Sequence, residues 1–191
     1  MFSLYSEFEN VFPDLKINNE IMLRSFQKDD AYDYFHYMSN PVMKNYVTSD
    51  NIPGNYLESI KEIEYWRSLF HRKIGIYWAI ALVNNNKIIG SIGFNSISFI
   101  FSTADISYDL NPKYWKKGIM CLSMSKIVKY AKSILGLKEI TATVVQWNYP
   151  SIKLLHKLGF YKLKIIKNYT MLEGENADCV LYSKKLNNRP I

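Results

Sequence analysis

The stretch Thr103–Met120, TADISYDLNPKYWKKGIM, holds two periodicities and the joint between them. From Thr103 to Leu110 the residues alternate. Ala104, Ile106, Tyr108 and Leu110 fall on one face, and Asp105, Ser107 and Asp109 on the other. That two-residue period predicts a strand with two unlike faces. The run that follows, CLSMSKIVKYAKSIL (Cys121–Leu135), keeps a helical period, so a long helix is expected from about Gly118 to Leu135. A strand that feeds a helix through a short loop leaves the helix's first amides without partners. With the helix dipole, those amides favour an anion. Lys116 and Lys117 add positive charge, and Gly118 has no Cβ to hold a ligand off the backbone. The joint therefore has two readings: a solvated basic turn with a helix-starting glycine, or a cradle for a diphosphate. It is neither GxxxxGK[ST] nor GxGxxG.

Upstream, Ile21–Phe26 reads as a short strand. Lys28–Asn40 reads as a helix opened by Asp29 and Asp30, with Ala31, Tyr34, Phe35 and Met38 inward and Pro41 closing it. Asn55–Lys73 is a second amphipathic helix, with Leu57, Ile60, Ile63, Tyr65 or Trp66, and Leu69 inward. Gly75–Val83 and Lys87–Ile97 form a hairpin across an asparagine-rich turn. Downstream, Leu137–Val145 is a β-branched strand and Asn148–Gly159 a short helix ended by its glycine. Phe160–Met171 and Ala177–Leu186 are closing strands joined by the turn Leu172–Asn176. This order predicts an α+β (mixed α/β) fold in one domain over residues 1–191, with residues 1–18 as an N-terminal extension. Its core is a central, twisted, mostly antiparallel sheet of about six or seven strands. One pair is parallel, crossing through the long helix, and helices flank the sheet.

Composition narrows the partners. The net charge of +7 favours anionic ones: nucleic acid, a phosphorylated cofactor or an acidic surface. RNP, zinc-finger and helix-turn-helix patterns are absent from the sequence, which ranks a dedicated nucleic-acid binder low. The two cysteines, Cys121 and Cys179, stand far apart and read as free thiols of a reducing compartment. Together with His36, His71 and His156 they form no metal-ligand spacing, so no metal is expected. The N-terminal stretch carries acids early and lacks an apolar core, unlike a signal peptide. No apolar run reaches membrane-spanning length. A cytoplasmic protein that does not enter membranes is expected, as a monomer or homodimer.

A second stretch, WNYPSIKLLHKLGF (Trp147–Phe160), acts with the joint. Together they resemble the GNAT superfamily of acetyl-CoA-dependent N-acetyltransferases, closest to the branch of ribosomal-protein N-terminal acetyltransferases. The family's cofactor loop has glutamine or arginine, two residues, glycine, one residue, then glycine or alanine. In this branch it usually reads tyrosine-tryptophan-glycine-lysine-glycine-tyrosine-alanine. Here it is Tyr114, Trp115, Lys116, Lys117, Gly118, Ile119 and Met120. The downstream pattern of asparagine, serine, leucine and glycine-phenylalanine falls on Asn148, Ser151, Leu154, Gly159 and Phe160. The opening segment from about Phe12 also resembles the branch, so the resemblance covers nearly the whole chain.

The resemblance implies that strands Thr103–Leu110 and Glu139–Val145 pair and then splay, with the pantetheine arm of acetyl-CoA in the gap. It puts the diphosphate on Lys116, Lys117, Gly118, Ile119 and Met120, Asn148 and Ser151 beside the cofactor, and an oxyanion-binding amide near Leu110; Asn148 also reads as a strand-end cap, and the two roles are compatible. Asp105 stands where the branch often carries a glutamate and is the candidate base, acting through water. The rival is an ordinary polar residue on a strand face. Ser151 either bonds the leaving thiolate or starts a helix. Tyr108 packs or lines the cleft, and His156 lies on the surface. Two departures are noted: Met120 replaces a small residue, and Leu155 replaces the tyrosine that protonates the thiolate in many relatives. The implied reaction is direct transfer of acetyl from acetyl-CoA to a primary amine in a ternary complex. The acceptor would be a protein N-terminus or a small molecule, with association to the ribosome or another anionic partner possible on charge. The alternative is a non-catalytic acyl-CoA-binding or regulatory domain of the same fold.

Overall fold

The computed structural model describes residues 11–48, 51–172 and 175–186. Strands β1 (Leu15–Lys16) and β2 (Ile21–Arg24) lead into helix α1 (Asp30–Met38), a short 3-10 turn at Pro41–Asn45, and helix α2 (Tyr56–His71). Then come β3 (Ile76–Leu82), β4 (Ile88–Ser98), β5 (Thr103–Leu110), α3 (Ile119–Ser133), β6 (Glu139–Val145), α4 (Tyr149–Lys157), β7 (Tyr161–Leu172) and β8 (Glu175–Lys185). All eight strands form one sheet in the order β1-β2-β3-β4-β5-β6-β8-β7. Every neighbouring pair is antiparallel except β5–β6. The mixed fold and its single parallel pair are therefore as expected. The strand beyond the expected count is β1, whose two residues are too few to carry a period. The turn between β7 and β8 falls partly outside the described residues.

The alternation read from the sequence sorts side chains onto two cores. Ile76, Trp78 and Ile80 of β3, with Ile106 of β5, meet Met124, Ile127 and Tyr130 of α3. Tyr77, Ala79 and Ala81 point the other way, to Tyr34, Tyr37 and Met38 of α1 and Ile63, Trp66 and Leu69 of α2. Two sheet faces, each covered by helices, give the chain its layers. The described part of the segment read as an extension packs on this body through Phe12 and Pro13. Phe12 packs edge-on against Phe70 and Trp78, and the Trp78 indole donates to the Pro13 carbonyl at 2.7 Å.

Two helix faces differ from the expectation. In α1 it is Tyr37, not Phe35, that is fully buried, because its hydroxyl finds a carboxylate beneath the helix. In α2 the first turn stands off the sheet, leaving Leu57 68% exposed, and Trp66 rather than Tyr65 turns inward to stack on Tyr77. Asp29 stands at the N-cap of α1 and Asp30 in its first turn, as expected. Asp30 also accepts from Nη1 and Nη2 of buried Arg24, at 2.7 and 2.8 Å, and ties β2 to the helix.

Candidate functional site

Strands β5 and β6 run in register only from Thr103–Asp105 against Glu139–Thr141. Beyond that, β6 stays with β8 as far as Val145, and β5 stays with β4 as far as Leu110. The two strands therefore diverge, and a gap opens along Ile106–Leu110. The direction of the free amides follows from the strand's own geometry. The Asn111 amide donates to the Ile89 carbonyl of β4 at 2.8 Å. Successive amides of a strand point to opposite sides, so those of Leu110 and Tyr108 face the gap. At its mouth the Trp115 indole donates to the Leu110 carbonyl at 2.6 Å.

The joint after β5 leaves the first amides of α3 without intrahelical partners. Asn111 caps a short 3-10 turn, and Lys116 (φ 60°) and Gly118 (φ 76°) both adopt left-handed backbone. The first intrahelical bond of α3 runs from the Leu122 amide to the Gly118 carbonyl, so the amides of Ile119, Met120 and Cys121 have no intrahelical acceptor. Among the described residues no side chain caps this end. A Cβ on Gly118 would meet nothing within 4 Å, so what demands glycine in the fold itself is the backbone angle. Lys116 and Lys117 are exposed, with the Lys117 ammonium 5.1 Å from the Tyr114 ring centre. Met120 does not crowd the entrance: its side chain is buried in the core beside α3. Free amides, open space and flanking lysines fit a diphosphate here.

Across the gap stands α4. The Asn148 side chain accepts from the Ser151 amide at 3.1 Å and donates to the Tyr46 carbonyl at 3.2 Å. Asn148 is therefore the cap, and Ser151 is the residue whose amide is capped. This leaves the Ser151 hydroxyl free of any capping duty, and it lies 2.5 Å from the Tyr108 hydroxyl of β5. Leu155, one turn further on the same helix face, is wholly buried. Burial pushes the Tyr108 phenol well above the ordinary tyrosine range, against a smaller downward pull from Ser151.

The opposite face of β5 carries acids. Asp105, at the closed end of the gap, accepts from Thr141 of β6 at 2.9 Å. Burial raises its pKa, and the bonds from Thr141 and Asn95 pull it back. A cavity of about 280 Å³ opens beside it, lined by Ser96, Ser98, Thr103, Glu139 and Thr141 among others. Next along the strand, the Ser107 hydroxyl bonds the Tyr77 hydroxyl at 2.6 Å and donates to Asn95 Oδ1 at 3.0 Å. Asp109 accepts from the Tyr37 hydroxyl at 2.6 Å and from Ser91. Its pKa is pushed up to about 6, first by burial and last by Glu62, while the Ser91 and Tyr37 donors restrain it.

The structure thus brings Ser151 to Tyr108 and places Asp105 on the other side of the same strand. Asp109 and its tyrosine shell were not singled out in the sequence. The alternating pattern did place Asp109 on the polar face, but the residues that bury it come from α1, β3 and β4. Among the described residues no His, Cys, Asp or Glu cluster could hold a metal ion, and no helix is long and apolar enough to cross a membrane.

A sheet split beside a glycine-opened helix defines a class, and comparison with known proteins gives it its name. The acetyltransferase (GNAT) domain matches residues 20–161. The chain belongs to the GNAT family and is an acyltransferase of the N-acetyltransferase type. It is 32% identical over 173 residues to the uncharacterized N-acetyltransferase YoaA of Bacillus subtilis, covering 91% of this chain and 97% of that one. Its fold is shared with the microcin C7 self-immunity acetyltransferase MccE, solved with acetyl-CoA and AMP. The TM-score is 0.80 at 22% identity, over 90% of this chain and 95% of MccE. It is shared too with RimL, the ribosomal L7/L12 alpha-N-protein acetyltransferase, solved with coenzyme A. Here the TM-score is 0.82 at 17% identity, over 91% of this chain and 98% of RimL.

Proposed function

We propose that this protein moves the acetyl group of acetyl-CoA to a primary amine by direct attack within a ternary complex. The observation that carries the reading is the gap between β5 and β6, which runs from Asp105 at its closed end to the uncapped start of α3 at its mouth. Pantetheine lies in the gap as an added strand, bonded to the amides of Tyr108 and Leu110. The diphosphate rests on the loop Lys116–Met120, where Gly118 and the first-turn amides meet it.

The chemistry divides between the two sides of β5. An ammonium is no nucleophile, so the acceptor must shed a proton before it attacks. Asp105 takes that proton through a water in the cavity beside it, and its raised pKa brings the carboxylate nearer to matching the task. The carbonyl oxygen gains charge as the amine adds, and an amide in the gap, that of Leu110 or Tyr108, meets it. Ser151 bonds the sulfur as it leaves.

The acceptor we put first is the α-amine of a protein N-terminus, on the likeness to RimL, with a small-molecule amine second, on the likeness to MccE. The net charge of +7 supports docking to an anionic surface such as the ribosome. A reducing cytoplasm suits its free thiols, Cys121 and Cys179. The test is a thermal shift with acetyl-CoA and with coenzyme A, followed by mass spectrometry of N-terminal peptides and small amines. Both ligands raise the melting temperature, and at least one amine gains an acetyl group. Stabilisation without acetylation of any amine would instead favour a binding module.

A further inference from the structure

The departing sulfur of a thioester carries a charge that the protein must meet. In this chain Leu155 offers nothing, being apolar and wholly buried. What β5 and α4 do offer is a pair of hydroxyls 2.5 Å apart, those of Tyr108 and Ser151. A serine hydroxyl has one hydrogen and two lone pairs, so its usefulness as a donor depends on where that hydrogen points. Between a phenol and an alkyl alcohol, the phenol is the stronger acid and the better donor.

We propose that Tyr108 is the positioning residue that makes Ser151 a donor to the leaving thiolate. The Tyr108 O–H donates to Ser151 Oγ, and the Ser151 hydrogen is thereby turned into the gap toward sulfur. Burial keeps Tyr108 a neutral phenol, so it retains the hydrogen it donates at working pH. Bonds aligned head to tail also strengthen one another. The Ser151 amide is already held by Asn148, which fixes the position of Oγ.

The step balances without ionising either hydroxyl. The amine lone pair forms the C–N bond, and the C–S electron pair departs on sulfur. Asp105 already holds the proton shed by the ammonium, so the proton lost as the amide forms passes through water to solvent, and coenzyme A leaves as a thiolate held by Ser151 until solvent protonates it. The inference rests on the proposed acetyl-CoA site, because it needs the sulfur in the gap.

The test reads the thiol of bound coenzyme A directly, by the ultraviolet absorbance of its thiolate as pH is raised. In the wild-type complex the bound thiol titrates below that of free coenzyme A. Tyr108→Phe moves it upward by about one unit, because a donor to a charged group is misdirected. Ser151→Ala moves it by a similar amount. The double variant goes no further than either alone, since the pair acts as one device. Ser151→Thr, which keeps a hydroxyl, titrates as the wild type. A wild-type titration in Tyr108→Phe alongside a shifted one in Ser151→Ala would reduce Tyr108 to packing and overturn the proposal. So would additive shifts in the double variant, or a shifted Ser151→Thr. Failure of coenzyme A to bind at all would overturn the acetyl-CoA site itself and this inference with it. Acetyl transfer with an unperturbed bound thiol would sink only the inference.

Discussion

The two faces of β5 do opposite things with the same kind of side chain. Toward α4, Tyr108 meets a serine, and two neutral hydroxyls share one bond at 2.5 Å. Toward α1 and α2, Tyr37 meets Asp109, and a phenol holds a carboxylate at 2.6 Å. Burial drives both tyrosines toward the neutral form. It also drives Asp105 and Asp109 toward protonation. One face therefore keeps donors and the other keeps poised acceptors. The separation costs the chain nothing beyond the two-residue period of a strand. In the proposed complex a single strand sets hydrogen-bond donor and proton acceptor on opposite sides of the thioester.

The comparison breaks most severely if the acceptor side is emptied. Asp105→Asn keeps the shape and removes the base, and kcat should fall about 10²–10⁴-fold at neutral pH. Full turnover across the pH range would remove Asp105 from the mechanism. The next effect is on stability. Folded Asp109 holds its proton up to about pH 6, against an ordinary aspartate near 3.8. Its contribution is therefore complete below the unfolded value and drains away as pH rises through 6. The difference in unfolding free energy between wild type and Asp109→Asn should change by up to about 3 kcal/mol between pH 4 and pH 7. The variant gains relative to wild type at the higher pH. Urea unfolding at both values measures this, and parallel curves would mean the carboxyl is not buried.

A smaller loss is expected at the entrance. Gly118→Glu forces a side chain into left-handed backbone and puts a negative charge on the diphosphate site. Coenzyme A affinity should drop about ten- to thirtyfold by calorimetry. Unchanged affinity would place the diphosphate elsewhere. The smallest effect sharpens the comparison rather than breaking it. Tyr37→Phe removes a donor that restrains Asp109, so the Asp109 carboxyl should titrate about one unit higher by NMR. A downward or absent shift would mean that Tyr37 does not govern it.

Much of this was legible in the order of residues. Thr103–Leu110 announced its faces because a strand's alternation is local, and the observed β5 has those bounds. Gly159 announced the end of α4 because caps act over one turn, and it stands there at φ 78°, whereas the helix-start reading fell on Ser151 and the cap is Asn148. What stayed hidden is what depends on distant segments meeting. Ser151 lies 43 positions from Tyr108, and Tyr37 lies 72 from Asp109, so neither partnership leaves a local mark. Met120 read only as a departure from the small residue of the loop it resembles. Only the packing of α3 on the sheet turns its side chain into the core.

A crystal structure of the protein with coenzyme A addresses the central claim most directly. The account predicts pantetheine between β5 and β6 against the Tyr108 and Leu110 amides, sulfur within hydrogen-bond reach of Ser151 Oγ, and diphosphate on the first turn of α3. Coenzyme A bound outside that split, with the two strands closed on each other, would contradict it.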